Sequence, residues 1–98
     1  MKVTEIAKIF KALSSESRIR ILELIRDKKL CVNAITKQLD ITQPAVSQHL
    51  AILKETGLVK SDRYGSIIHY QLDDKRLRDF RASVRKHLGE HFMDVKEG

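Results

Sequence analysis

Residues 42–53 read TQPAVSQHLAIL, and this stretch decides the fold. Thr42 suits an N-cap, because its hydroxyl can accept a hydrogen bond from a free backbone N–H of the first turn. Pro44 follows near the helix start, where a missing N–H costs nothing. The apolar residues recur at i, i+4 and i+7, which predicts a helix with one buried stripe. The stripe consists of Val46, Leu50 and Leu53.

The opposite side of this helix carries only short side chains, many of them polar. They include Gln43, Ser47 and Gln48. Such a side can enter the DNA major groove, where base edges present hydrogen-bond donors and acceptors. An ordinary solvent-facing helix is the alternative interpretation of the same pattern.

The flanking sequence predicts a winged helix-turn-helix, mainly α with a small β-hairpin, as a single domain over residues 1–98. A short turn joins the third and fourth helices into a helix-turn-helix pair, and residues 59–72 then change to the alternation of strands. Arg63 and Tyr64 lie near the bend of this wing, a cation and an aromatic donor suited to phosphate. The other predicted helices cover Val3–Leu13, Glu16–Arg26, Val32–Leu39 and Asp73–Val95.

Composition favours a partner that is a polyanion. Lys and Arg outnumber Asp and Glu by 19 to 13 in 98 residues, which gives a net charge of +6. The single cysteine excludes an internal disulfide, and the N-terminus has no signal-peptide core. No apolar run reaches the roughly 20 residues of a membrane span. We therefore expect a cytoplasmic protein without a membrane partner.

The first and last predicted helices carry more apolar surface than one small domain can cover. A two-fold homodimer that packs them against their copies would place two reading helices on one face of a DNA duplex. The alternative is a monomer whose terminal helices fold over their own core. The predicted interface residues are Ile6, Phe10, Phe80, Val84, Leu88 and Phe92.

Four segments resemble the ArsR/SmtB family of dimeric winged-helix repressors. They are LSSESRIRILELI (13–25), LCVNAITKQLDITQPAVSQHLAILKETGLV (30–59), RYG (63–65) and YQLDD (70–74), and SQHLAILKETGLV is the most specific run. The resemblance implies a homodimer of five-helix subunits on an imperfect inverted repeat, released in many members by a metal ion or thiol chemistry.

The resemblance also implies which residues contact DNA. Gln43, Ser47 and Gln48 would contact bases or adjacent phosphates, with His49 beside them, and Arg63 with Tyr64 would form the wing contact. Ser47 and His49 can alternatively be surface or packing residues. The full predicted set is Thr42, Gln43, Ser47, Gln48, His49, Arg63 and Tyr64.

The family's thiol site is present here only in part. Arsenic sensors carry a Cys-x-Cys pair at the start of the third helix, and the matching positions here are Cys31 and Asn33. One thiolate cannot form the multi-sulfur site of a soft metal ion. At a helix N-terminus, Cys31 could instead be a redox-responsive thiol, because the positive helix end stabilises a thiolate. A plain cap residue is the alternative.

The family's zinc site is also incomplete. Its positions, shared between the last helices of two subunits, map here to Asp74, Arg76, His87 and Glu90. Asp74, His87 and Glu90 suit zinc, whereas a guanidinium cannot donate a lone pair. We expect Arg76 to pair with Glu90 of the partner subunit in place of a metal, and a working zinc site is the alternative. His91 could complete a different ligand set.

The sequence therefore predicts a DNA-binding transcriptional regulator, a repressor by resemblance, and not an enzyme. No nucleophile with a base and an orienting group is recognisable, and no glycine-rich phosphate loop is present. The alternative function is a winged-helix module that binds an acidic protein partner without specific DNA binding. The inducer, if any, is not identified by the sequence.

Overall fold

The computed structural model describes residues 1–92, and it confirms the winged helix-turn-helix prediction. Within this range, no helix has the length and apolar character needed to cross a membrane. The helices are α1 (Val3–Leu13), α2 (Glu16–Ile25), α3 (Val32–Leu39), α4 (Gln43–Glu55) and α5 (Asp74–Leu88). The strands are β1 (Leu30–Cys31), β2 (Val59–Tyr64) and β3 (Ile67–Leu72), and a single 3₁₀ turn spans Glu90–Phe92.

The core lies where α2, α3 and α4 meet, with α1 and α5 packed against it. The predicted stripe of α4 is buried as expected, with Val46, Leu50 and Leu53 each at most 1% exposed. Burial of three such side chains removes enough apolar area from water to fix how α4 is rotated about its axis. The polar side of α4 must then face outward.

The sheet contains three antiparallel strands in the order β1-β3-β2. The hairpin of β2 and β3 turns at Gly65, whose φ of +64° suits glycine. Strand β1 was not predicted, because two residues are too few to show any periodicity. It pairs Leu30 with Tyr70 and Cys31 with His69, so the wing is attached to the start of α3.

The predicted extent of the last helix is wrong at its C-terminal side. Helix α5 ends at Leu88, and Gly89 follows with a φ of +95°, outside helical geometry. The N–H of Gly89 still donates to the carbonyl oxygen of Arg85 at 3.0 Å. The prediction ran through Gly89 because the apolar spacing continues beyond it. Val95, its last residue, lies outside the described residues.

Candidate nucleic-acid interface

Helix α4 presents its polar side chains to solvent. The backbone N–H of Ala45 donates to Oγ1 of Thr42 at 3.3 Å, which confirms the predicted cap. Gln43, Ser47 and Gln48 are all exposed and lie outside the buried stripe of α4. Exposed polar side chains in the N-terminal half of a helix can reach hydrogen-bonding groups on base edges.

A groove joins the N-terminal part of α4 to the wing. Its volume is about 380 Å³, and it brings Gln43 and Ser47 together with the start of α3 and the tip of the hairpin. Six of the nine lining residues were not predicted as site residues, and Asn33 and Ile67 are among these six. The sequence did carry a signal for Ile67, because an apolar residue there stands on the polar side of the alternating strand. In the structure Ile67 is 51% exposed. The lining consists of Cys31, Val32, Asn33, Gln43, Ser47, Ser66, Ile67, Ile68 and Tyr70.

His49 lies on a different flank of α4 and contacts its own chain. Nη1 of Arg18 lies 3.2 Å from Nδ1 of His49, while Nε of Arg18 donates to the carbonyl oxygen of Ala12 at 2.6 Å. A guanidinium only donates, so Nδ1 of His49 accepts and the ring is neutral. Burial, followed by the charge of Arg18, lowers the pKa of His49 below its usual value of 6.5. A DNA contact by His49 stays a prediction.

The wing presents both of its predicted contact residues on the surface. Arg63 is exposed, and Tyr64 is 54% exposed. Tyr64 is nevertheless held in place, because its hydroxyl oxygen accepts a hydrogen bond from Nζ of Lys29 at 3.0 Å. Its ring also meets the ring of His69 edge to face, with centroids 5.2 Å apart. A partly fixed, partly exposed aromatic donor suits a phosphate contact.

Cys31 is the N-cap residue of α3, as the sequence predicted. Its side chain makes no cap hydrogen bond and is half-buried. The residue lines the same groove as Gln43 and Ser47, so a group added to its sulfur would alter the surface beside the reading helix. Its redox response stays a prediction.

The predicted zinc ligands do not form a set within one chain. Among residues 1–92, no group of three or more His, Cys, Asp or Glu side chains is placed to hold a metal ion. Asp74 begins α5 and His87 lies near its end, which separates them by about 20 Å at 1.5 Å per residue. Glu90 follows the break at Gly89, so it does not share a continuous helical face with His87. The prediction that one helix runs from His87 through Glu90 is therefore wrong, and the zinc site itself stays a prediction.

Arg76, at the position of the missing ligand, is engaged inside its own chain. Its Nε donates to the carbonyl oxygen of Thr56 at 3.0 Å, and its Nη2 donates to Oε2 of Glu5 at 3.2 Å. The side chain thus connects α5 to the end of α4 and to α1, and it packs over Gly57. The expected pairing of Arg76 with Glu90 of the partner subunit stays a prediction. A cation fixed here does not fit a zinc site.

The predicted interface residues fall into two groups. Ile6, Phe80 and Val84 are at most 6% exposed within a single chain, because α1 and α5 pack on the core through them. Leu88 and Phe92 are 54% and 56% exposed. Phe10 lies between the groups, with its ring centroid 5.1 Å from that of Phe80 and 6.1 Å from that of Phe92. Val3 and Leu77 add exposed apolar area, 63% and 38%, on the same two helices.

Comparison with known proteins gives consistent matches. The family model described as "Bacterial regulatory protein, arsR family" matches residues 15–61. The HTH-type transcriptional repressor SmtB of Mycobacterium tuberculosis is 37% identical over 82 residues, which are 84% of this chain and 61% of that repressor. A cadmium resistance transcriptional regulatory protein, a CadC homolog of Staphylococcus aureus, is 32% identical over 88% of this chain and 72% of its own length. This chain is thus markedly shorter than the SmtB repressor.

A solved structure agrees with the fold and adds an assembly. The solution structure of a homodimeric winged helix-turn-helix DNA-binding domain from Mycobacterium bovis has a TM-score of 0.73 and 28% identity. The match covers 98% of this chain and 89% of that domain. The likeness extends over the terminal helices as well as the helix-turn-helix.

Proposed function

Because the chain belongs to the ArsR family of bacterial regulatory proteins, we propose that it is a sequence-specific DNA-binding transcriptional regulator. Its proposed action is repression, as the name of the SmtB relative suggests. Its proposed target is double-stranded DNA in the cytoplasm, and no enzymatic activity is part of the proposal. The exposed polar side of α4 beside the wing carries this proposal. The chain's net charge of +6 supports it by favouring phosphate binding.

We further propose that the protein acts as a homodimer on an inverted repeat. The M. bovis domain is homodimeric, and the exposed apolar residues of α1 and α5 would be covered by a second copy of the same surface. A two-fold axis through these helices places two α4 helices on one side, so the half-sites would lie about 34–36 Å apart or a multiple of that distance. The four residues concerned are Val3, Leu77, Leu88 and Phe92.

A gel-shift experiment with the DNA upstream of the protein's own gene tests the proposal. At moderate salt, retardation that survives excess random competitor DNA is the expected result. Retardation that the competitor removes completely would contradict sequence-specific binding. That outcome would favour the other function, a winged-helix module whose basic face binds an acidic protein.

Regulation by zinc is not part of the proposal, and regulation through the Cys31 thiol remains the open alternative. Arg76 occupies a ligand position and is bound by Glu5 and Thr56, so we expect calorimetry to detect no tight zinc binding. Tight binding that His87→Ala abolishes would contradict this. For the thiol, Cys31→Ser should prevent the release of DNA by peroxide if Cys31 is the sensor. Equal release of DNA from the wild type and the variant would show that Cys31 is not the sensor.

A further inference from the structure

A lysine outside the hairpin holds the wing. Nζ of Lys29 lies 3.0 Å from Oδ2 of Asp62 and 3.0 Å from the hydroxyl oxygen of Tyr64. Asp62 and Tyr64 both belong to β2, whereas Lys29 precedes β1. We name these three residues the wing clamp. The clamp joins the segment before α3 to the part of the wing that the sequence predicts to contact DNA.

Strand register explains why a residue so distant in sequence reaches β2. In the sheet, Cys31 is opposite His69, and His69 is opposite Asp62. Directly opposed residues project their side chains to the same face of a sheet, and residues two apart along a strand do so as well. Lys29 therefore lies on the face of Asp62 and Tyr64, with His69 between them.

The wing clamp neutralises a negative charge on the wing. A carboxylate on a DNA-facing hairpin repels phosphate unless a nearby cation neutralises it. Asp62 places such a carboxylate on the wing. The ammonium of Lys29 compensates it, and the hydrogen bonds that Lys29 donates to Tyr64 and then to Asp62 raise the pKa of Lys29 above its usual value. The lysine thus stays charged at neutral pH.

The clamp also orients a hydrogen-bond donor. A phenol has one O–H donor and an oxygen that accepts. Lys29 occupies the acceptor side of Tyr64, so the hydroxyl hydrogen points away from the ammonium and remains available to an acceptor outside the protein. More than half of Tyr64 is exposed, at 54%, so an acceptor such as a phosphate oxygen can approach it.

We propose that Lys29 is a positioning residue for DNA binding, which fixes Tyr64 of the wing for a phosphate contact and neutralises Asp62. The inference rests on the proposed function, because it concerns how this chain would bind DNA. Lys29 itself does not contact DNA in this scheme. Its effect on affinity passes through Asp62 and Tyr64.

Lys28 provides a matched control for Lys29. Both residues are exposed lysines before β1, and in the part of the chain that the structure describes Lys28 forms no ion pair. Lys28→Met and Lys29→Met each remove one positive charge, so their long-range effects on DNA binding should be nearly equal. Only Lys29→Met breaks the clamp. We expect it to bind the cognate duplex about five- to twentyfold more weakly than Lys28→Met, as coupled neighbours do.

Two further substitutions separate the neutralisation of Asp62 from the positioning of Tyr64. In the Lys29→Met background, Asp62→Asn removes the uncompensated carboxylate and should recover part of the lost affinity. Tyr64→Phe should weaken binding in the wild-type background and have a smaller effect once Lys29 is absent. This non-additivity is the signature of residues acting as one unit.

The free protein supplies a readout independent of DNA. Amide hydrogen exchange over residues 62–67 should be faster in Lys29→Met than in Lys28→Met, with equal melting temperatures for the two variants. Unchanged exchange in Lys29→Met, or equal DNA affinities for the two variants, would overturn the clamp and leave the proposed function standing. No sequence-specific binding by the wild-type protein would overturn the proposed function, and the role of the clamp in DNA binding with it.

Discussion

The recognition unit, α3 to β3, differs from the terminal pair, α1 with α5, in how its chemistry is organised. In the recognition unit, neighbouring elements bring exposed polar residues such as Gln43 and Ser47 into one groove. In the terminal pair, the residues predicted to bind zinc are separated along α5 and across the break at Gly89. The groove proposed to face DNA is thus formed within one chain, whereas the terminal pair offers mainly apolar area that another copy can cover.

The largest expected effect separates folding from dimerisation in the terminal pair. Phe80 is 3% exposed and contacts Phe10, whereas Leu88 is 54% exposed. Phe80→Ala should lower the free energy of unfolding by about 3–5 kcal/mol, because it leaves a cavity in the core. Leu88→Ala should change the unfolding free energy of the separated monomer by less than about 0.5 kcal/mol.

Denaturant unfolding and sedimentation equilibrium of both variants check this pair. Leu88→Ala should raise the dimer dissociation constant about tenfold, as the loss of an apolar interface residue can. If Leu88→Ala leaves the dimer dissociation constant unchanged, the C-terminal part of α5 does not belong to the interface. Equal stability losses in the two variants would contradict the burial described for Phe80.

The next effect tests the connection between the two regions. Gly57 follows α4 with a φ of +84°, and a Cβ there would lie 2.8 Å from Nε of Arg76. Gly65 has a φ of +64° and no atom within 4 Å of such a Cβ. Gly65→Ala should cost about 1 kcal/mol of backbone strain. Gly57→Ala should cost about 1 kcal/mol more, because Arg76 must leave Thr56 and Glu5.

Thermal or denaturant unfolding of the two glycine variants measures this difference. If Gly57→Ala lowers the free energy of unfolding no more than Gly65→Ala does, Arg76 can move aside without loss of stability. Its contacts then do not stabilise the packing of α5 against the end of α4.

A smaller effect concerns His49, on the flank of α4 that faces α2. Burial, then the charge of Arg18, lowers its pKa in the folded chain, while the unfolded chain binds the proton near pH 6.5. The unfolded state therefore binds more protons than the folded state below that value, and stability should fall as the pH drops from about 6.5 to the lowered pKa of His49. His49→Gln should reduce this loss between pH 7.5 and 5.5. Identical pH profiles for the wild type and His49→Gln would contradict the Arg18 contact.

The sequence was sufficient for structure that local patterns determine. Thr42 and the apolar stripe predicted α4, and the change from helical to alternating spacing predicted the hairpin. Local patterns did not predict the contacts between residues that are distant in the sequence. The contacts of Arg76 with Thr56 and Glu5, and of Lys29 with Tyr64, depend on how separate elements pack, and spacing carries no signal for them.

The last helix shows a second limit. Apolar spacing that continues past Gly89 cannot reveal that its backbone leaves the helix, because a glycine permits both conformations. The sequence therefore predicted one continuous helix through His87 and Glu90, which the break at Gly89 contradicts. Periodicity also could not distinguish Phe80, which packs in its own core, from Leu88, which is exposed in a single chain.

Fluorescence anisotropy over a range of salt concentrations, with cognate and random duplexes, tests most directly the claim that α4 reads base sequence. Gln48→Ala should weaken binding to the cognate duplex by about 1–3 kcal/mol and leave binding to random DNA nearly unchanged. Arg63→Ala should weaken both and reduce the salt slope by about 1, as the loss of a phosphate contact does. Equal losses on both duplexes for Gln48→Ala would contradict the account.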